Sequence, residues 1–346
     1  MKIAIITDQH FGARKNSKLF HDYFQKFYDE IFFPAIEKEG IDTIIDMGDT
    51  FDSRKGIDFA ALSWAKNNYF DRLRDMGITV HTIVGNHTAY YKNTNDINAI
   101  DLLLREYNNV KIYSETSSIM VGDLNILLVP WINKENEEKS HALIKKSRAS
   151  VCMGHLELIG FRVHRGYIMD HGTEASIFDK FKKTFSGHYH TRSDNGSIYY
   201  LGNPYEMYWN DVGDKRGFHL FDTETLEQTP VNNPYQIFKV IYYEDHDYQL
   251  FDARQLEDKI VKLVVRKKTD KVQFEKFIDK LYNANVAELK IVENFADTDV
   301  AEFEAFESED TLSILNRYVE ESEIDLDKSR IQELLNRIYE EACELV

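Results

Sequence analysis

Short apolar runs alternate with longer stretches of helical spacing through the first third of the chain. Residues 2–7 read as a buried-type strand and 8–18 as a polar loop. Residues 19–38 place Phe20, Phe24, Phe27, Ile31 and Ala35 on one helical face, with Pro34 predicting a kink and Gly40 a stop. A strand over 43–47 follows, then a helix over 58–76 closed by Gly77, and a strand over 79–84. A helix near 96–107 leads to a strand over 110–113. This β-α-β-α-β order predicts a largely parallel sheet.

The middle changes character. Residues 118–121 and 125–129 predict a hairpin around Gly122-Asp123. A helix over 135–146 is followed by strands at 150–153 and 183–186, and runs at 197–201 and 217–222 complete a second, mainly antiparallel set. The expected fold class is α/β: two back-to-back mixed β-sheets flanked by helices, over residues 1–229. After Pro230 the pattern restarts with strands at 237–243, 260–266 and 287–292 around a helix at 271–282, a small α+β cap domain over 230–292. Residues 293–310 hold eight carboxylates and no Lys or Arg, which predicts an acidic linker. Residues 311–346 read as a C-terminal helical pair. Its second helix carries Ile331, Leu334, Leu335, Ile338, Tyr339, Ala342 and Leu345 on one stripe.

Composition narrows the class. A chain of 346 residues with 43% hydrophobic content can bury a sizeable core, and no apolar run is long enough to span a bilayer. Two distant cysteines, Cys152 and Cys343, suggest no disulfide framework, and residues 1–6 lack signal-peptide organisation. A reducing, cytoplasmic home is expected. The net charge of −17 argues against a generic nucleic-acid coat. It does not exclude a nuclease, because bound divalent cations supply positive charge where the phosphate sits.

The chemistry lies at five junctions where an apolar run gives way to Asp, Asn or His. They are Asp8-Gln9-His10, Gly48-Asp49-Thr50-Phe51-Asp52, Gly85-Asn86-His87, Gly154-His155 and Gly187-His188-Tyr189-His190. Singly, each is more often a turn or a satisfied polar residue than a ligand. As an ordered set, they place donors at the carboxyl ends of strands, where open α/β folds build sites. Carboxylate, imidazole and amide donors suit Mn, Fe or Zn better than Mg alone. Two such ions about 3.5–4 Å apart clamp a phosphodiester, and only a carboxylate bridges them well, which nominates Asp49.

This ordered set resembles the five-motif signature of the calcineurin-like metallophosphoesterases. Asp8-Gln9-His10-Phe11-Gly12 and Gly48-Asp49-Thr50-Phe51-Asp52 are similar to its SbcD-type DNA-repair branch, and the length fits the compact form found in T4-like phages. The motifs cover roughly the first 220 residues. The resemblance implies that Asp8, His10 and His190 hold one metal, that Asn86, His155 and His188 hold the other, and that Asp49 is shared. It implies that His87 acts near the leaving oxygen as proton donor or transition-state stabiliser. The family usually has Asp or Glu after that histidine. This chain has Thr88, which carries no charge to orient the imidazole.

The implied activity is a metal-dependent 3′-to-5′ exonuclease on duplex DNA with endonuclease activity, serving recombination, repair and end processing. Mn2+ is the expected ion, with Mg2+ or Fe2+ as alternatives. The implied partners are DNA and an SMC-like ATPase bound through the C-terminal helices, with a homodimer of the nuclease inside a heterotetramer. Rival readings are a protein phosphatase or small-molecule phosphodiesterase on the same scaffold, and a catalytically silent adaptor. Asp52 is read either as a neighbour of the phosphate or as a cap for the next segment. Tyr90 and Tyr91 are read as base-stacking or loop-packing aromatics, Arg14, Arg54 and Arg165 as solvated surface, and Cys152 as core.

Overall fold

The computed structural model describes residues 1–164, 167–268, 270–293, 318–319, 327–332 and 334–335. One six-stranded sheet runs, in spatial order, Gln228–Asn232, Gly217–Asp222, Lys2–Ile6, Thr43–Asp46, Thr79–Ile83 and Val110–Tyr113. The last four are parallel, and Gly217–Asp222 joins Lys2–Ile6 antiparallel. The second sheet runs Ser193–Asp194, Ile198–Tyr200, Lys183–Ser186, Val151–Gly154, Leu124–Val129 and Ser117–Val121.

The two sheets pack face to face. Alternation along Lys2–Ile6 shows how: Ile3 and Ile5 enter the inter-sheet core with Ile45, Ile126, Met153 and Phe185, whereas Ala4 and Ile6 face the helices. The second sheet's other face, with Leu127, Val129 and Cys152, is covered by Ile144 and Phe178. Strands buried on both faces need continuous apolar sequence, which is why these runs do not alternate with polar residues.

The expected antiparallel character of the second set is corrected. Its four central strands are parallel, and only the edge strands Ser117–Val121 and Ser193–Asp194 run antiparallel. Residues 217–222 belong to the first sheet, not the second. The cause is the wrap of the chain: Phe218 fills the helix-side core and Phe221 the inter-sheet core, so this strand seals the open edge of Lys2–Ile6. Pro230 lies inside the strand Gln228–Asn232 that ends this sheet.

The expected helix over 19–38 is interrupted by a wider turn. Lys18–Phe27 passes into Tyr28–Phe32, where the Phe33 N–H bonds to the Tyr28 carbonyl, and Phe33–Lys38 follows with Pro34 in its first turn. The widened turn accommodates the missing proline donor. A second such turn, Lys66–Phe70, divides the helix between Phe59–Ala65 and Asp71–Asp75. The smaller unit is a three-stranded parallel sheet, Phe238–Tyr242, Ile260–Val265 and Glu288–Glu293, covered by helix Lys271–Tyr282. It is seated on the larger body through Phe238 and Ile260, and through the Glu206 carboxylate, which accepts from the Ile237 and Phe238 N–H groups at 2.9 and 3.0 Å.

Candidate metal centre

Five parallel strands end on one edge of the paired sheets, and each carries one motif. Lys2–Ile6 delivers Asp8 and His10, Thr43–Asp46 delivers Asp49, and Thr79–Ile83 delivers Asn86 and His87. From the second sheet, Val151–Gly154 delivers His155 and Lys183–Ser186 delivers His188 and His190. The turns are tight. Asp8, His10, Asp49 and His188 all have left-handed φ, between 45° and 80°, which non-glycine residues hold only where the surroundings over-determine it. Gly85 and Gly187 are required by close approach: an added Cβ would lie 2.1 Å from Asp49 Oδ1 and 2.0 Å from Thr7 Oγ1 respectively.

Every candidate side chain converges on one cluster. Asp8, His10 and His190 form one group, and Asp49, His155 and His188 another, each with ligand atoms within 4.8 Å of one another. His10 Nε2 and His190 Nε2 are 3.2 Å apart, and Asp49 Oδ2 lies 3.1 Å from His155 Nε2 and 3.9 Å from His10 Nε2. Asn86 Oδ1 lies 2.8 Å from His155 Nε2 and 2.9 Å from His188 Nδ1.

Outer contacts fix which ring nitrogens face inward. Met47's carbonyl accepts from His155 Nδ1 at 2.9 Å, and the Asp52 carboxylate accepts from His10 Nδ1 at 3.0 Å. Both histidines, when neutral, therefore turn a bare Nε2 toward other lone-pair donors. Acceptor facing acceptor at 2.8–3.2 Å needs a proton or a cation between them. The donor set thus fits a pair of divalent ions, with the outer hydrogen bonds that orient metal-bound imidazoles already in place.

Without such ions, protons balance the charge. Burial alone would push the His155 imidazole down, but Asp49 beside it, with Asp8 behind, lifts it to about 9. Burial would raise the Asp49 carboxyl, yet His155, His87 and His10 hold it well below the usual range. Burial, then the neighbouring His155, lowers His188 to about 3. Burial likewise lowers His190, helped by His10 and Arg216.

His87 belongs to neither group but forms a third with His10 and Asp52, again with ligand atoms within 4.8 Å of one another. Its N–H donates to Asp49 Oδ1 at 2.8 Å, and its Nδ1 donates to the Asp52 carbonyl at 2.7 Å. Thr88 does not touch it: the Thr88 hydroxyl is buried and closes a local ring with Gly85, donating to its carbonyl and accepting from its N–H.

A model of the calcineurin-like phosphoesterases matches residues 1–192. The chain belongs to that family. Its relatives include "Exonuclease subunit 1" of Enterobacteria phage T4, which is 33% identical over 352 residues, covering 99% of this chain and 100% of the relative. Among solved structures, an archaeal phosphodiesterase aligns with 67% of this chain and 100% of its own at 14% identity and a TM-score of 0.36. A protein of unknown function from Aquifex aeolicus aligns over 52% of this chain and 93% of its own, at 15% identity and a TM-score of 0.27. Neither superposition is close enough to argue from. As a phosphoesterase of this family, the chain is a hydrolase that works with divalent metal ions.

Two contributors to the phosphoesterase centre were not assigned these parts from sequence. Asp52 serves two histidines at once, its carboxylate accepting from His10 Nδ1 and its carbonyl from His87 Nδ1. Arg216 is buried, pairs with Asp211 at 3.1 Å and Asp214 at 3.2 Å, and donates to the His190 carbonyl. No sequence signal marks it. Tyr90 and Tyr91 are half-exposed and meet edge to face. Cys152 is core, as expected. Arg165 and most of the C-terminal segment lie outside the described residues.

Proposed function

We propose that this phosphoesterase is a two-metal DNA nuclease, the exonuclease subunit of a complex with an SMC-like ATPase. The observation that carries the reading is full-length similarity to a T4 protein named as an exonuclease subunit, at 33% identity. The convergent donor set of Asp8, His10, Asp49, Asn86, His155, His188 and His190 supports it.

In this reading Asp8, His10 and His190 hold one ion, Asn86, His155 and His188 the other, and Asp49 both. Mn2+ is the ion we propose, within the range of Mn, Fe or Zn that mixed oxygen and nitrogen donors fit. When bound, the pair supplies Lewis-acid stabilisation of the phosphodiester and lowers the pKa of the attacking water. The chain's own residues do the rest. Asp52 and Met47 orient His10 and His155. His87, with its Nδ1–H committed to the Asp52 carbonyl, would give the leaving oxygen a proton from Nε2 in its imidazolium form and be left as the neutral Nδ1–H tautomer.

The proposed units are a nuclease body that runs through the strand Gln228–Asn232 rather than ending at 229, a cap from there to 292, an acidic linker over 293–310 and an ATPase-docking segment over 311–346. We place a second copy on the exposed apolar face of Phe59, Ile97 and Leu102, beside half-buried Leu62, where Phe59 is 88% and Leu102 64% exposed. The complex would act on DNA in the host cytoplasm, in recombination and repair. Among the described residues, no helix is long and apolar enough to cross a membrane.

The deciding assay sets linear duplex DNA beside a chromogenic phosphatase substrate, with Mn2+ and with chelator. Mn2+-dependent, chelator-sensitive cleavage of DNA is expected. Turnover of the chromogenic ester without DNA cleavage would instead favour the protein-phosphatase reading.

A further inference from the structure

We infer that Asp46 is a positioning residue that holds the Asp8–His10 turn and the Asp49 turn in register, so that their side chains meet at one metal pair. The inference rests on the reading of Asp8, His10 and Asp49 as ligands.

Asp46 interrupts the apolar run Thr43-Ile44-Ile45-Asp46-Met47 and is fully buried at the end of its strand. Its Oδ2 accepts from Gln9 Nε2 at 3.0 Å and from Thr50 Oγ1 at 2.8 Å, and its Oδ1 accepts from the Gly48 N–H at 3.2 Å. Gln9 stands between Asp8 and His10, while Gly48 and Thr50 flank Asp49. One carboxylate therefore grips both turns from behind.

Three donors converge there, and only a carboxylate offers acceptors alone; an amide of the same shape would present two donors of its own. Burying a carboxylate is costly, and an apolar residue would fill the space without that cost. What the carboxylate adds is restraint of left-handed backbone at Asp8, His10 and Asp49, with φ of 52°, 45° and 51°. Gln9 is itself fixed from the far side. Its Oε1 accepts from the Tyr28 hydroxyl and its carbonyl from the Tyr205 hydroxyl, both at 2.6 Å and both from fully buried rings.

The test compares full-length native protein with Asp46→Asn, Gln9→Glu and the double exchange, in which amide and carboxylate trade places at constant charge. Mn2+ affinity is read by calorimetry, turnover and KM on linear duplex DNA, and the melting temperature in chelator. Asp46→Asn is expected to weaken Mn2+ binding about 10–100-fold and to lower kcat with it, the range for outer-shell partners of metal ligands. KM for DNA and the chelated melting temperature stay near native. The double exchange recovers about tenfold of the lost affinity, because its Gln9–Asp46 hydrogen bond is restored in reverse. Native Mn2+ affinity in Asp46→Asn, or no recovery in the double exchange, overturns the inference. If Asp46→Asn does not fold, Thr50→Val removes one of the three donors and must weaken Mn2+ binding in a folded chain; native binding there overturns it too. Native protein that takes up no Mn2+ would instead sink the ligand reading beneath it.

Discussion

The carbonyl oxygen of Asp52 lies 2.7 Å from Nδ1 of His87, while its carboxylate lies 3.0 Å from Nδ1 of His10. One residue thus sets the tautomer of two histidines by two different groups, and substitution can separate them. Asp52→Ala removes the carboxylate and keeps the carbonyl. We expect Mn2+ affinity to fall about 10–100-fold, as for other outer-shell partners, with turnover restored at saturating Mn2+. His87→Ser is the complement: metal content unchanged and kcat down about 10²–10⁴-fold. Metal loss in His87→Ser would make His87 a ligand instead.

Much of this centre was legible because its chemistry is punctuated. Gly-Asp, Gly-Asn and Gly-His after apolar runs mark strand ends, and parallel strands bring those ends to one edge without knowledge of the loops. Asp52 was visible as part of a motif, but its two-sided role depends on a backbone carbonyl that carries no residue identity. Thr88 illustrates the reverse. It carries no charge and its hydroxyl is turned into a ring with Gly85, so the contact that orients His87, from the Asp52 carbonyl, could not be read from it. The sheet assignment of residues 217–222 was illegible for a simpler reason. A strand buried on both faces reads the same in either sheet, and only packing of Phe218 and Phe221 decides.

Asp49→Asn removes the one carboxylate placed between the two donor groups. We expect both ions to be lost together, with affinity falling by more than the about 10–100-fold of an outer-shell change, and DNA cleavage abolished. Metal analysis by mass spectrometry checks it. Two bound ions per chain with native cleavage would disprove the shared-ligand assignment.

Metal uptake should release protons. His155, lifted to about 9, is protonated in the metal-free protein at neutral pH and must be neutral to ligate. Mn2+ affinity therefore rises with pH up to about 9 and levels off above it. The stability sign follows. A histidine raised in the folded state contributes fully below its unfolded pKa of about 6.5, and this contribution fades as pH rises through about 9. The chelated protein should lose melting temperature over that window, and the Mn2+-loaded protein should not. Calorimetry in buffers of different ionisation enthalpy counts the protons; no release at pH 7.5 would contradict the assignment.

The apolar face around Phe59 and Leu102 predicts an association state. Leaving such side chains in water costs roughly 25 cal/mol per Å². Phe59→Asp with Leu102→Asp should yield a monodisperse monomer with an unchanged chelated melting temperature, where the native chain runs as a dimer by light scattering. A native chain that is already monomeric at micromolar concentration would rule out the second copy on this face.

The C-terminal stripe offers the sharpest separation between self-packing and partner docking. Of its described members, Leu334 is 53% exposed whereas Ile331 and Leu335 are half-buried, and Val319 earlier in the same segment is buried. If an ATPase covers the stripe, deleting residues 311–346 should leave a folded, metal-loaded nuclease with native Mn2+-dependent activity on short duplexes. The same deletion should abolish co-purification with the ATPase and ATP-driven processing of long DNA. If the chain's own core covers it, the deletion should lower the melting temperature by several degrees or cause aggregation, because a hydrophobic contact is then lost from the fold. Val319's burial makes some loss of stability the expected background, so the discriminating variant is Leu334→Asp with Ile338→Asp. That pair places two charges on the stripe and leaves Val319 alone. We expect it to keep the native melting temperature and lose the partner; retained co-purification would rule out docking through this stripe.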